Sequence, residues 1–516
     1  MRLAIVIGVI GKLLRMFWAA FLPPALLALW DGFHGVPGQF DVAGHFAISS
    51  VITFIGGTIL SRGFPENPHF RRVEALAVVA GTWMAAAHFS AIPYLFAGLG
   101  YVDAIFESMS GFTTTGATIL SDFTQYGRAF FLWRSMTQWF GGLGVIALFV
   151  VVLPQLGIAG RQLFFAEASG APSEAISARV QDSARRLWIL YCILSLVQLA
   201  LLWVWSGMPF YESICHTLTT MAAGGFSPHG MSISGYADPT TLATYAGSAA
   251  EAFSRYNPAR AEWVFVVFMM LAGTSFPLLW VIFSRRPRQL FRDDEFRFYF
   301  LSFATIAVAC AWILTDGQID TEALRMGAFQ SASLISSTGY ASVDYNLWPA
   351  SAKALLIVVM FVGGCAGSAA GGAKAIRNLL VFRFMHRELK RAATPDAVIS
   401  LRYKGRSVPD PIIRSLVNVV GLYLLTYAFI GVVLVLLGSD LITGFTASLA
   451  CVGNIGPGFE AVGPMANFAE LSPLAKIVLT FGMWAGRLEM VTVLALLQPI
   501  IWKRLRWRGI ESRINS

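Results

Sequence analysis

Phe112-Thr113-Thr114-Thr115-Gly116-Ala117-Thr118 is a run of small residues, most of them polar, closed around a glycine and placed behind a short amphipathic stretch. The same design returns three times along an otherwise apolar chain: Ala222-Ala223-Gly224-Gly225-Phe226, Ser337-Thr338-Gly339-Tyr340-Ala341 and Asn454-Ile455-Gly456-Pro457-Gly458. With Gly116, Gly224, Gly339 and Gly456 taken as matched positions, the intervals are 108, 115 and 117 residues. Such even spacing marks one unit copied four times.

Composition assigns the solvent. Hydrophobic residues form 56% of the 516 and charged ones only 13%, about half the charged share of a soluble domain. The chain is therefore a polytopic membrane protein. A window of about 20 residues finds ten apolar spans, near 3–30, 41–61, 73–97, 129–154, 186–207, 258–284, 297–315, 351–382, 412–437 and 473–502. The first is too long for a signal-peptide core and has no small-residue cleavage site followed by polar sequence, so it is expected to stay as a membrane helix.

The formal charge of +9 does not describe a nucleic-acid stripe, because the basic residues gather in alternate links between spans. These links hold Arg62, Arg71 and Arg72; Arg179, Arg185 and Arg186; Arg285 to Arg297; Arg383 to Arg406; and Lys503 to Arg508. The intervening links carry acids, among them Asp103, Glu107 and Asp122, Glu212 and Asp238, Asp316 and Glu322, Asp440 and Glu460. Lys and Arg mark cytoplasmic loops, which puts both termini inside. Contact with anionic lipid accounts for most of these basic residues. The five cysteines lie in apolar stretches without metal-ligand spacing, so neither a disulfide framework nor zinc is expected.

From the third span onward the order is span, short amphipathic segment, glycine segment, span. The short segments run from about Asp103 to Thr114, Tyr211 to Ala222, Glu322 to Ser337 and Leu441 to Asn454. As helices of a dozen or so residues they rise only ~18 Å, too little for a ~30 Å hydrocarbon core. They must enter from the acidic side and return. Backbone left unpaired at membrane depth is tolerated only where protein buries it or water reaches it, and a pore meets that condition. Carbonyl oxygens turned inward replace the hydration shell of an ion, and glycine permits the dihedrals that aim them. Small residues stand two positions before each glycine (Thr114, Ala222, Ser337, Asn454), and polar ones eight before (Ser108, His216, Ser331, Ser448). The fold class expected is an all-α polytopic membrane protein: four pseudo-symmetric span/pore-helix/filter/span repeats around a central pore, plus two N-terminal spans. Its boundaries are 1–68 for the leading spans and 69–160, 161–290, 291–395 and 396–516 for the repeats.

These strings, together with Gly486-Arg487-Leu488-Glu489 in the last span, resemble the TrkH subunits of the Trk/Ktr/HKT superfamily of potassium transporters over essentially the whole length. The resemblance implies a subunit that conducts K+ and Rb+ inward, with K+ as the transported ion and no organic cofactor. It implies a selectivity filter at Thr114, Thr115 and Gly116; Ala222, Ala223 and Gly224; Ser337, Thr338 and Gly339; and Asn454, Ile455 and Gly456, with K+ held by their carbonyls. Glycine at all four central positions favours potassium within this superfamily. A homodimer in a bacterial inner membrane, seated on a cytoplasmic TrkA-type nucleotide-binding ring, is implied as well, with the loop from Arg383 to Arg414 and the basic C-terminus as docking surfaces.

Two further features fit the resemblance. Arg487 lies mid-span, where a cation costs ~2.5–3.5 kcal/mol, so it should face the bundle interior. The resemblance gives it the role of a fixed charge opposing cation passage; an ion pair with Glu489 that only locks helices is the other reading. The eighth span is interrupted by Gly363, Gly364, Gly367, Gly371 and Gly372, too many for a rigid helix at ~1 kcal/mol each. The resemblance makes this stretch a gating loop; close helix packing through small-xxx-small pairs is the alternative.

The outer carboxylates Asp103, Glu107, Glu212 and Glu322 read as cation attractors collectively and as solvated surface groups singly. His216 is expected to make a structural hydrogen bond, Phe130, Phe131 and Trp133 to anchor at the membrane interface, and the stretch 156–181 to form a cytoplasmic link. No phosphate loop, dinucleotide fingerprint or histidine cluster is present, so neither ATP binding nor catalysis is expected. Two rivals remain open: a symporter coupling K+ to H+ or Na+, and a Na+-permeable member of the same superfamily.

Overall fold

The computed structural model describes residues 2–62, 72–147, 173–242, 247–283, 288–397 and 399–499. Much of the link 156–181, Arg71, Arg285, Arg286 and the basic C-terminus lie outside the described residues. Among the described residues, six helices are long and apolar enough to cross a membrane: Leu3–Phe33, Gln39–Leu60, Val73–Phe96, Arg185–Trp205, Asp294–Leu314 and Asp410–Leu436. The first contains a short 3-10 turn at Trp18–Phe21, just before Pro23 and Pro24, whose missing N–H groups interrupt the α ladder.

Each repeat then shows the expected order. A long helix (Arg72–Ser90, Ser173–Ala200, Asp294–Leu314, Asp410–Leu436) leads to a short one (Tyr101–Phe112, Phe210–Met221, Thr321–Ile335, Leu441–Val452). An extended segment and an inner helix beginning at Arg128, Pro258, Ala350 or Pro473 follow. The short helices hold 12, 12, 15 and 12 residues and are buried except near their first turns, as fits re-entrant elements.

Among the described residues three inner helices are discontinuous, where the sequence marks only one. The break at Gly363–Lys374 is the glycine-rich one, between Ala350–Val362 and Ala375–Ala393. A second separates Pro258–Ala272 from Phe276–Phe283, just ahead of Pro277. A third separates Pro473–Arg487 from Met490–Leu496 at Leu488 and Glu489, the latter with φ 64°. No local breaker announces the third. It coincides with a tertiary bond, Glu489 accepting from Arg377 at 2.5 Å.

The leading helices are structural partners of the first repeat. Leu3–Phe17 packs on Gln39–Leu60 and on Arg72–Ser90, while Leu22–Phe33 packs on Arg128–Ala147. This corrects the reading of Phe130, Phe131 and Trp133 as interfacial anchors: all three are buried. The Trp133 indole stacks on Phe21 at 4.4 Å and donates to the Ser90 carbonyl. Outside the helices, a two-stranded hairpin pairs Arg402–Tyr403 with Arg406–Ser407, and all five cysteines are free.

Candidate functional site

Each short helix ends in the same way. The first residue of the exit has positive φ: Thr114 at 50°, Ala223 at 54°, Ser337 at 55° and Asn454 at 52°. The next N–H reaches back to the helix, Thr115 to Ser110, Gly224 to Thr219, Thr338 to Ser333 and Ile455 to Ala450, at 2.8–2.9 Å. This left-handed closure satisfies the terminal carbonyls and turns the chain sharply. No glycine serves at the turn, so four side chains accept a conformation that costs ~1–2 kcal/mol each. One step on stand glycines with positive φ: Gly116 at 84°, Gly225 at 75°, Gly339 at 83° and Gly456 at 103°.

The second repeat therefore reads one residue later than its sequence suggested. Gly225 is the counterpart of Gly116, Gly339 and Gly456, while Gly224 is the counterpart of Thr115, Thr338 and Ile455. The matched segments are Thr114-Thr115-Gly116, Ala223-Gly224-Gly225, Ser337-Thr338-Gly339 and Asn454-Ile455-Gly456, and Ala222 belongs to the helix end. The polar residue eight positions earlier is then Thr217, not His216.

These four segments close a ring. A methyl group on Gly116 would lie 2.2 Å from the carbonyl oxygen of Gly224; on Gly225, 1.8 Å from that of Thr338; on Gly339, 1.9 Å from that of Ile455; on Gly456, 2.7 Å from that of Thr115. Each glycine thus faces the carbonyl that precedes the equivalent glycine of the next repeat, in the order 1, 2, 3, 4 and back to 1. A side chain at any of them would occupy the space these oxygens hold. The arrangement sets a peptide oxygen of each repeat against the ring glycine of the one before it, and peptide oxygens are donors that suit a partly dehydrated monovalent cation.

Behind the ring the supports differ from repeat to repeat. Thr113 and Thr115 share a hydroxyl contact of 2.7 Å, as Ser336 and Thr338 do at 2.8 Å. The Asn454 amide donates to Thr115 Oγ1 and to the Met483 carbonyl. Glu107, expected at the outer mouth, is instead fully buried against Arg134, 2.6 Å away. It also accepts from the Ile119 N–H and the Thr118 hydroxyl, while Arg134 donates to the Ser227 carbonyl and lies over the Phe226 ring at 3.8 Å. Glu212 is buried as well and accepts from Ser248 through its N–H and Oγ. Neither is a solvated surface acid. Asp103 pairs with Lys476 at 2.7 Å, and Glu322, whose side chain is 69% exposed, lies 3.7 Å from Arg325. His216 has the structural role foreseen, between the Glu212 carbonyl and Ser227 Oγ.

Beneath the ring lies the loop 363–374. Gly363, Gly367 and Gly372 have positive φ, whereas Gly371 is required by proximity, since a methyl there would fall 2.4 Å from the Gly453 carbonyl. The Gly371 N–H donates to Ser337 Oγ at 2.6 Å. Cys365 and Ala369 donate to the Gly273 and Ala272 carbonyls, and Phe276 donates back to Gly367. At the other end the Ala366 N–H donates to Glu295 Oε1 at 2.6 Å. Arg487, 5% exposed, donates Nη1 to the Ala369 carbonyl at 2.8 Å and Nη2 to the Gly141 carbonyl at 3.4 Å. Lys374 donates to the Ala370 carbonyl. The Arg487–Glu489 pair does not form, because Glu489 bonds Arg377. Arg487 and Lys374 thus both donate to peptide carbonyls of the loop under the ring.

Sequence reasoning missed Gln138, Arg134 and Glu295. The first two were signalled by polar residues four apart inside an apolar span. Among the described residues no group of His, Cys, Asp and Glu could hold a metal ion.

Residues 45–501 match the model of the TrkH family, described as cation transport protein. The chain is 32% identical over 503 residues to the Trk system potassium uptake protein TrkH of Salmonella typhimurium, covering 96% of this chain and 98% of that one. To the TrkH of Halomonas elongata it is 31% identical, with 98% and 100% covered. The crystal structure of the potassium transporter TrkH from Vibrio parahaemolyticus superposes with a TM-score of 0.83 at 29% identity, covering 97% of this chain and all of the other. A multi-pass helical architecture and a closed ring of four glycine segments accompany likeness over nearly the full length, and the chain belongs to the TrkH family of cation transport proteins.

Proposed function

We propose that this chain is a potassium uptake subunit of a bacterial inner membrane, conducting K+ and Rb+ inward through the ring of filter carbonyls. The observation that supports the reading is the cyclic set of glycine-to-carbonyl contacts, which joins the glycine segments of all four repeats. Relatives named as potassium uptake proteins supply the ion. The loop 363–374 is the gate and Arg487 the fixed charge that opposes passage while the loop is seated. The membrane potential drives entry, worth ~2.3 kcal/mol per charge per 100 mV. Both termini are cytoplasmic, and a homodimer docks a TrkA-type nucleotide-binding ring on its cytoplasmic face, where the Arg402–Ser407 hairpin is among the exposed basic elements.

The test is purified protein in liposomes under imposed K+, Rb+ or Na+ gradients. Flux of K+ and Rb+ well above Na+ supports the reading, and equal Na+ flux in the unmodified protein refutes the filter assignment. A strict requirement for a second ion, Na+ or H+, would replace conduction by coupled symport.

A further inference from the structure

In three repeats the residue before the ring glycine carries a side chain, Thr115, Thr338 or Ile455; in the second it is Gly224. That gap is filled from elsewhere. Gln138, fully buried on the Arg128–Ala147 helix of the first repeat, occupies it: a methyl on Gly224 would lie 2.4 Å from the Gln138 carboxamide carbon. Its amide makes two bonds to the filter strand. The Phe226 N–H donates to Oε1 at 3.0 Å, and Nε2 donates to the Gly224 carbonyl at 2.6 Å. The orientation is fixed by chemistry, because a backbone N–H can only donate and so must face the amide oxygen, leaving the NH2 for the carbonyl.

The oxygen that Gln138 engages is the one Gly116 faces in the ring. The geometry points to Gln138 as a specificity-determining positioning residue, a clamp supplied by the first repeat that fixes one of the four filter carbonyls, in the repeat whose own strand lacks a side chain there. Gly224 and Gly225 are adjacent and unconstrained by Cβ atoms, so this strand is the one best able to collapse onto a smaller ion. An amide bonded to the Gly224 carbonyl and the Phe226 N–H, on either side of Gly225, removes that freedom. The donated hydrogen bond also draws density from the Gly224 oxygen, so the ring is chemically a set of three plus one. Holding the oxygen at the spacing a K+ ion fills denies Na+ the closer approach it needs.

This inference rests on the proposed filter, and the experiment separates the two. Liposome flux of K+ and Na+ is measured for the full chain, for Gln138→Glu and Gln138→Met, for Gly224→Thr, and for Gly224→Thr combined with Gln138→Ala. Met keeps only the volume, and the Glu variant, when ionised, keeps the shape and the acceptor without the donor. Both are expected to lower the K+/Na+ flux ratio about fivefold or more, the range of one lost buried hydrogen bond. Gly224→Thr should lose transport by collision with Gln138, and trimming Gln138 to Ala in the same chain should restore flux, with the strand again carrying its own side chain. A ratio unchanged in both Gln138 variants, including one where total flux falls with poorer folding, overturns the clamp. Equal K+ and Na+ flux in the unmodified chain overturns the filter itself.

Discussion

Replacement of the ring glycines by alanine, one at a time, should damage selective transport in an order the contacts set. Two costs combine at each site. The positive φ of 75–103° disfavours any L side chain by ~1–2 kcal/mol, and this part is similar at all four. The second cost differs. The new methyl would meet the neighbouring carbonyl oxygen at 1.8 Å for Gly225, 1.9 Å for Gly339, 2.2 Å for Gly116 and 2.7 Å for Gly456. Real contacts of this type lie beyond about 3 Å, so at Gly225 and Gly339 the neighbouring strand must retreat by more than about 1 Å, and at Gly456 by a few tenths. A displacement of 1 Å exceeds the difference in radius that separates Na+ from K+, roughly 0.4 Å, on which carbonyl spacing acts. Selectivity should therefore collapse in Gly225→Ala and Gly339→Ala, fall in Gly116→Ala and fall least in Gly456→Ala. The assay is the K+/Na+ flux ratio in liposomes, with chromatographic dispersity as the folding control, and Gly339→Ser should behave like its alanine counterpart. The reasoning fails if Gly456→Ala is the most damaging of the four, or if Gly225→Ala retains the parent ratio.

Arg487→Ala should raise basal K+ leak about fivefold or more, as loss of ~1 kcal/mol of opposing charge requires, with Arg487→Lys intermediate; unchanged leak in liposomes would remove it from the gate. Glu107→Gln strands the buried Arg134 guanidinium, which should cost about 3–5 kcal/mol and show as a lower unfolding temperature in detergent, largely recovered when Arg134→Met is added. Glu295→Ala frees the Ala366 N–H of the loop and should raise leak without altering the K+/Na+ ratio. Glu295→Gln retains an acceptor and should keep the leak low, so equal leak in both variants would show that the bond to Ala366 does not restrain the loop.

Local signals were legible in the sequence. The short helices fall within a residue or two of their expected bounds because a dozen amphipathic residues before a small-residue turn admit little else, and three of the four ring glycines follow directly from the turn. Repeat 2 slipped by one because Gly224 and Gly225 are chemically identical neighbours, and only the partner across the ring tells which of them meets a carbonyl. Burial of Glu107 depended on Arg134, 27 residues away, and that of Glu212 on Ser248. A carboxylate read without its partner defaults to the surface. The same holds for Phe130, Phe131 and Trp133, whose apolar faces suit lipid and protein equally: Trp133 meets Phe21 of the leading helices, while Phe130 and Phe131 meet Tyr94, Phe123 and Tyr126 of their own repeat. The break at Leu488 and Glu489 has no local breaker at all and coincides with the bond to Arg377.

Fusion of four repeats into one chain gives this ring something a ring of identical subunits lacks. The backbone closure is fourfold, yet among the described residues only the third repeat sends a loop beneath it, and that one loop touches Ser337 of its own repeat, Gly453 of the fourth and Ala272 and Gly273 of the second. Four symmetric copies would compete for the same volume under the axis. A single copy can reach across it and meet Arg487, which also reaches Gly141 in the first repeat. The guanidinium and the loop together therefore contact elements of all four units, so dislodging the loop loosens bonds in each. Differences between the repeats, Thr115, Gly224, Thr338 and Ile455 standing at matched positions, then let a fourfold backbone ring carry a single asymmetric loop, as the proposed gate requires.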